Sequence, residues 1–334
     1  MNVLFVGGTG QISLSSVLES IAAGHKVSVF NRGKSPIEEL PREINRIVGD
    51  MNDPDSYGKL RKEHFDVVCQ FKVFTPEQMK VDLETFTGRV GQYIFISSAS
   101  CYEKPAKQYL ITEKTPLENP FWEYSRLKIE SEQVLRDQEQ LPYTIVRPSH
   151  TIRTHLPIQI GDWMVGLKRI LEGKPLLVTG DGTAPWTLTR PVDFSIPFVR
   201  LFGRAEAIGE DFHITGDRGF TWDNIHSAIA RGFGTVTNNV HVPTETLIRY
   251  NRDWIGPLMG DKMYTALFDN SKIKALVGDF KCSEDLDEIL AEPVKTARKL
   301  IETERPNGAA QSRDEAQNSL IDRIVAEQTA LGNN

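Results

Sequence analysis

The sequence predicts an α/β fold, a doubly wound parallel sheet followed by a smaller C-terminal lobe. From Met1 to about Ser149 short apolar, β-branched runs alternate with helical patterns, the mark of repeated βαβ units. Beyond Pro148 the pattern becomes less regular, which marks the start of a second lobe. A length of 334 residues agrees, since it suits about two domains or one large domain with a smaller lobe.

Strands are expected over residues 3–6, 26–30, 46–48, 67–71, 93–96 and 144–146, a count that suits a doubly wound sheet. After the first, Leu14, Val17, Leu18 and Ile21 recur at helical spacing and give one apolar stripe, with Gly24 as the expected C-cap. Further on, residues 162–172, 195–202 and 222–232 read as helices, and Gly180-Asp181-Gly182 as a turn that leads by strand or loop to Arg190-Pro191-Val192-Asp193. Residues 276–279 read as a short strand or turn and 283–290 as another helix. A Pro, Gly, Ala and Gln cluster breaks the pattern at 304–312, and 313–331 forms a polar, helical tail. There is no internal repeat.

Composition removes several function classes. With 45 acidic and 39 basic residues the net charge is −6, against the clustered Lys and Arg that grip phosphate backbones, so no nucleic-acid partner is expected. An apolar share of 40% with 25% charged residues supports a buried core and excludes disordered, collagen-like and coiled-coil classes. Cys69, Cys101 and Cys282 are too few and too widely spaced for a disulfide framework or a zinc site. No stretch reaches the roughly 18 apolar residues of a membrane span. The chain opens Met1-Asn2-Val3-Leu4-Phe5-Val6 and breaks at Gly7-Gly8 without a basic leader, which makes the cytoplasm the expected location and a membrane partner unexpected.

The first strand runs straight into Gly7-Gly8-Thr9-Gly10-Gln11-Ile12-Ser13 and then a helix, the context that a dinucleotide-binding loop needs. Gly7 permits the tight strand-to-helix turn, and Gly10 lets backbone N–H groups approach a pyrophosphate at the positive helix end, with Thr9, Gln11 and Ile12 as further contacts. Ser13 stands where a third glycine would allow close helix packing, and is expected to shift the helix slightly. About twenty residues past the glycines, where an acid would hold the ribose hydroxyls of NAD, stand Asn31, Arg32, Gly33 and Lys34. Arg32 and Lys34 can pair with a 2′-phosphate, which favours NADP and leaves NAD open. Asp50 is a candidate adenine contact or a helix cap. The expected division is a dinucleotide-binding domain over 1–155, with 190–230 returning to it, a substrate lobe over 156–189 and 231–305, and a tail over 306–334.

Tyr124 and Lys128 lie four apart, hence on one face of a helix. A phenol titrating near pH 10 is a poor base at neutral pH, and an adjacent ammonium with a cationic nicotinamide brings it nearer the operating range. The strand at 93–96 delivers Ser97, Ser98, Ala99 and Ser100 at its carboxyl end, where open α/β sheets bind ligands.

On these motifs the chain resembles the extended (atypical) short-chain dehydrogenase/reductase superfamily, in its NAD-dependent epimerase/dehydratase branch. The resemblance covers roughly residues 1–200, and more faintly the stretch to about 300, where Leu267-Phe268-Asp269-Asn270-Ser271-Lys272 looks like the family's C-terminal lobe. It implies a Rossmann-type sheet and hydride transfer between nicotinamide and a carbinol or ketone carbon of a small, sugar-like molecule. By the same resemblance Tyr124 is the general acid/base, Lys128 binds the nicotinamide ribose and lowers the tyrosine pKa, Ser98 bonds the reacting oxygen, and a homodimer forms through the helix bearing Tyr124.

Departures from the family sharpen the expectation. Ala99-Ser100-Cys101 replaces the Asp-Glu pair of dehydratases, so dehydration is not expected. Nucleotide-sugar enzymes carry an arginine shortly before the Val-Asp that matches Val192-Asp193; here Trp186 and Thr187 hold that neighbourhood, Arg190 sits very close to Asp193, and Arg147, Arg153 or Lys168 are the candidate replacements. His150 and His155 follow the sixth strand and are candidates for a second acid/base, His155 with Ser100 or Cys101, or else structural histidines. Cys101 also fits a small buried packing residue, and Trp122 and Trp186 fit a sugar-stacking wall or plain core. The leading reading is an NAD(P)-dependent oxidoreductase or epimerase. The alternatives are an NADPH-dependent carbonyl reductase on a non-nucleotide substrate, or an idle relative resembling the chloroplast stem-loop RNA-binding branch, which the intact Ser98, Tyr124 and Lys128 oppose.

Overall fold

A computed structural model describes residues 1–34, 40–42, 44–303 and 308–332. Its centre is a parallel sheet of seven strands: β1 (Asn2–Val6), β2 (Lys26–Asn31), β3 (Asn45–Val48), β4 (Phe65–Gln70), β5 (Val90–Ile96), β6 (Tyr143–Pro148) and β7 (Asp211–Ile214). They lie in the order β3-β2-β1-β4-β5-β6-β7, and Val3 pairs with Val27 on one side and Val67 on the other. The order reverses direction at β1 and β4, so the loops leaving those two strands diverge and open a crevice at the carboxyl edge. This is a Rossmann-type fold.

Strand alternation decides which side chains meet which layer. Val3, Phe5, Val29, Cys69 and Ile94 face α1 (Ser13–Ala22), and Leu4, Val6, Val68, Tyr93 and Phe95 face α2 (Pro76–Phe86) and α3 (Glu123–Arg136). After α4 (Trp163–Leu171), capped by the Asp162 carboxylate on the Met164 N–H at 2.7 Å, α5 (Pro191–Arg200) packs against α1 through Phe194 and Phe198. The α1 stripe is narrower than its spacing predicts. Leu14 and Val17 are buried while Leu18 is 39% exposed, and Ser16 and Ser20 take the buried positions instead. Their hydroxyls donate to carbonyls of the preceding turn, which satisfies them internally and keeps that face small.

A second core forms the lobe. Val178, Trp186 and Leu188 pack with α6 (Trp222–Gly232) and α7 (Leu286–Thr303), while α8 (Gly308–Gly332) covers a further cluster through Ile321 and Ile324. Several features differ from the sequence reading, among them the bounds of the helices expected at 195–202 and 283–290, which span Pro191–Arg200 and Leu286–Thr303. The seventh strand is absent from that reading, because Asp211-Phe212-His213-Ile214 is too short to show a period. Residues 276–279 end a helix, Ser271–Val277, stopped by Gly278 at φ +82°, so the apolar run there belongs to a helix face. Finally, α6 packs in the lobe core and Ile273 and Val277 in the sheet core, so both stretches lie across the boundaries expected at 230 and 231.

Candidate active site

The glycine loop leaves β1 at the crevice. Gly7 has φ +88°, and a Cβ there would lie 2.5 Å from Lys72 Cγ, so conformation and space both demand glycine. Gly8, which the motif does not single out, would place a Cβ 2.9 Å from both methyls of Val29. Ser13 does more than replace a glycine. Its hydroxyl donates to Gly7 O at 2.6 Å and accepts the Gly10 N–H at 2.8 Å, which fixes the loop against the start of α1. Gln11 ties that loop to the lobe: its Oε1 accepts the N–H groups of Arg153 (3.1 Å) and Thr154 (2.8 Å), and its Nε2 donates to Thr154 Oγ1.

A single cavity of about 810 Å³ starts at this loop, passes Ser98 and Tyr124, and ends among Trp186, Asp261 and Phe268. At its nucleotide end Asn31 Oδ1 accepts the Gly33 N–H (2.9 Å), and this turn presents Arg32 and Lys34 to the cavity. Neither forms an ion pair among the described residues. Asp50 lines the same end and accepts the Asn52 N–H at 3.0 Å; the helix cap is Asp53, so that alternative for Asp50 falls away. These features fit a dinucleotide: a glycine cradle that a Cβ would fill, helix N–H groups at its rim, and free cations where a 2′-phosphate would lie.

Tyr124 and Lys128 sit on the first turns of α3, and both reach the cavity beside Ser98. The Ser98 hydroxyl hydrogen-bonds the Tyr124 phenol and lies 2.9 Å from Ser100 Oγ, which is 2.7 Å from Ser125 Oγ. Burial pushes the phenol up to about 12, helped by the Cys101 thiol and the Asp261 carboxylate, and the Ser98 bond opposes this. The lowering by Lys128 that the spacing predicts is therefore missing. Lys128 is 2% exposed, donates to Val73 O (2.6 Å) and Ile96 O (2.9 Å), and burial brings it down to about 7. Its charge is spent on holding the loop after β4 to the end of β5.

Of the proposed substrate contacts, Ser100, His150 and Trp186 line the cavity. His150 faces the crevice, exposed to its interior, with its ring 4.7 Å from that of Trp186, and the surrounding walls lower its pKa. Cys101, His155 and Arg190 do not line the cavity. Cys101 is fully buried with its thiol raised to about 12, a packing residue facing Ser97 and Ser125. His155 stacks on Trp163 at 5.3 Å, which removes the pairing with Ser100 or Cys101. Arg190 is bound by Asp193 (2.8 and 2.7 Å) and by Glu288. Arg147 is locked to Glu132 and Asp211, and neither Arg153 nor Lys168 lines the cavity, so none of the replacement cations reaches it. Sequence reasoning missed Lys72 and Asp261, both lining residues. Lys72 was signalled by its place directly after an expected strand, whereas nothing local marked Asp261.

Residues 3–214 match the model of the NAD dependent epimerase/dehydratase family. The chain belongs to this family. The chain is also similar to proteins of diverse description. The chain is 28% identical over 262 residues to the chloroplast stem-loop binding protein of 41 kDa b of Arabidopsis thaliana, covering 75% of this chain and 66% of that one, slightly under two thirds. It is 26% identical over 251 residues to 2′-dehydrokanamycin reductase of Streptomyces kanamyceticus, covering 73% and 70%. Among solved structures, an epimerase of Methanothermobacter thermautotrophicus superposes with TM-score 0.74 at 19% identity over 90% and 93% of the two chains. UDP-glucuronic acid 4-epimerase of Bacillus cereus, solved with UDP-glucuronic acid and NAD, gives 0.71 at 20% identity over 90% and 100%. Both show the shared fold of the NAD-dependent epimerase/dehydratase family. Among the described residues no helix is long and apolar enough to cross a membrane.

Proposed function

We propose that this family member is an NADP-preferring oxidoreductase acting at a ketone or carbinol carbon of a sugar-like substrate that carries no nucleotide diphosphate. One observation carries the reading. The cavity that joins Arg32 to Ser98, Tyr124 and Lys128 continues into a substrate end where, among the described lining residues, there is no arginine or lysine. A diphosphate would be left there without a counter-charge. The likeness to a reductase of a dehydrokanamycin supports the same class.

The nicotinamide, when bound, supplies or accepts the hydride. Tyr124 supplies the proton. A phenol raised to about 12 keeps its proton at neutral pH and so suits donation to a carbonyl oxygen, while Ser98 bonds the same oxygen and the Ser100 and Ser125 hydroxyls continue the chain behind it. Arg32 and Lys34 would hold the 2′-phosphate, the glycine loop and α1 would take the pyrophosphate, and Asp50 and Lys128 would serve the adenine and the nicotinamide ribose.

The test is NADPH-dependent reduction of keto sugars by the wild type and Tyr124→Phe. The variant is expected to lose about 10²- to 10⁴-fold in turnover while binding NADPH as before, since that is the range of a positioned acid/base. Undiminished turnover would remove Tyr124 from the mechanism. The stem-loop binding relative favours a second reading, capture of structured RNA. A net charge of −6 opposes it, and stem-loop RNA retained at physiological salt would bring it forward.

A further inference from the structure

One cavity-lining group has no task in a reductase of a neutral polyol. The described carboxylates that line the cavity are Asp50, at the nucleotide end, and Asp261, at the substrate end. Asp261 lies in the turn Leu258–Lys262, and that turn is held against the catalytic loop from several sides. Asn119 Nδ2 donates to Ser100 O and to Gly260 O, both at 2.8 Å. Gly260 packs so closely on Trp122 that a Cβ would stand 2.7 Å from the Trp122 Cβ. The Lys262 carbonyl accepts from Trp222 Nε1 and Gln159 Nε2, both at 3.1 Å.

The carboxylate so presented is enclosed and poorly compensated. Burial raises its pKa, and the indole of Trp186 opposes this. Lys104 and Lys262 lie within electrostatic reach, but among the described residues neither makes an ion pair with it, and neither lines the cavity. Their ammonium groups bond carbonyls instead, Tyr102 O (3.3 Å) for Lys104, and Ile158 O (2.9 Å) and Gln159 O (3.2 Å) for Lys262. The same cavity is lined by the rings of Trp122, Tyr124, Trp186 and Phe268. A partly buried carboxylate without a close counter-ion costs free energy that a ligand cation offsets, and aromatic faces add to the attraction.

We propose that the substrate of this site bears an ammonium group, as an amino-substituted sugar or cyclitol does, and that Asp261 is the residue that binds it next to the reacting carbon. The proposal rests on the reductase reading above, and names the substrate class within it.

The probes are glucosamine, glucose and N-acetylglucosamine, which differ at one group. Their binding is measured by calorimetry on the full chain, with and without NADPH, in wild type, Asp261→Asn and Asp261→Glu. The wild type and Asp261→Glu are expected to bind glucosamine at least about 10-fold more tightly than the two neutral sugars, because a hydrogen bond to a charged group contributes about 1.5–3 kcal/mol. Asp261→Asn is expected to abolish the preference while keeping NADPH affinity, which also shows that it folds. Equal or undetectable binding of the amine by the wild type overturns the proposal, as does a preference that survives in Asp261→Asn. Failure of NADPH to bind strikes the reductase reading alone, since the amine preference is read on the apo chain too.

Discussion

Arg32 projects from the turn after β2 into the nucleotide end of the cavity, where the proposed reading pairs it with a 2′-phosphate. A guanidinium that pairs with a 2′-phosphate contributes only to NADPH. Arg32→Ala is therefore expected to weaken NADPH by about 10- to 100-fold, the equivalent of one or two charge-assisted hydrogen bonds, and to leave NADH nearly unchanged. Parallel titrations of both nucleotides check this, and equal losses would discard the 2′-phosphate role. Much of this scale was legible in the sequence, because Gly7, Arg32, Tyr124 and Lys128 belong to motifs whose spacing reflects local geometry. What spacing could not show was the commitment of Lys128 to two carbonyls, or the seclusion of Cys101 and His155. Those depend on segments that meet only in the folded chain, as the approach of Gly260 to Trp122 does.

Among the elements, β4 and α2 share a buried polar cluster that bears on the crevice. The Asp82 carboxylate accepts from the hydroxyls of Tyr57 (2.6 Å) and Tyr93 (2.5 Å) and from Gln70 Nε2 (2.5 Å), and burial raises it to about 6. Gln70 Oε1 in turn accepts the Lys72 N–H at 2.7 Å, so the cluster fixes the start of the loop that packs over Gly7. Asp82→Leu strands three buried donors and is expected to cost about 3 kcal/mol or more in chemical denaturation, with weaker NADPH binding. An unchanged midpoint would contradict this. The Gln11 clasp makes a separate prediction: Gln11→Ala should release NADPH roughly 10-fold faster, because its hydrogen bonds to residues 153 and 154 close the glycine loop onto the lobe. Stopped-flow displacement measures that rate, and an unaltered rate would deny the clasp. Helix periods located α1, α4 and α6 well. The short β7 and the end of the helix at Gly278 escaped because neither spans a full period of its pattern.

For the whole molecule, a buried histidine sets a pH dependence. Burial lowers His226 to about 4, below the value of about 6.5 expected in the unfolded chain. Between those values the unfolded state binds more protons, so the stability is complete above about pH 6.5 and drains away as the pH falls toward 4. His226, fully buried, accounts for about 3 kcal/mol of this loss. Asp82 acts in the opposite sense below about pH 6, since its folded pKa is raised, and offsets part of this loss, while His213, fully buried and also lowered, adds to it. Thermal unfolding is thus expected to shift to lower temperature from pH 7 to pH 4.5, and a flat profile would refute the neutral, buried state of His226.

The two-core architecture also explains why function was only partly legible. The sheet half repeats a pattern that a reader of sequence can follow, whereas the cavity is completed by lobe segments brought together by packing. The most direct measurement of the central claim is a fluorescence titration of the purified chain with NADPH and NADH, using the tryptophans that line the cavity. Saturable binding of one NADPH per chain, tighter than NADH and retained in Tyr124→Phe, is the predicted result. Binding of neither nucleotide would contradict the account.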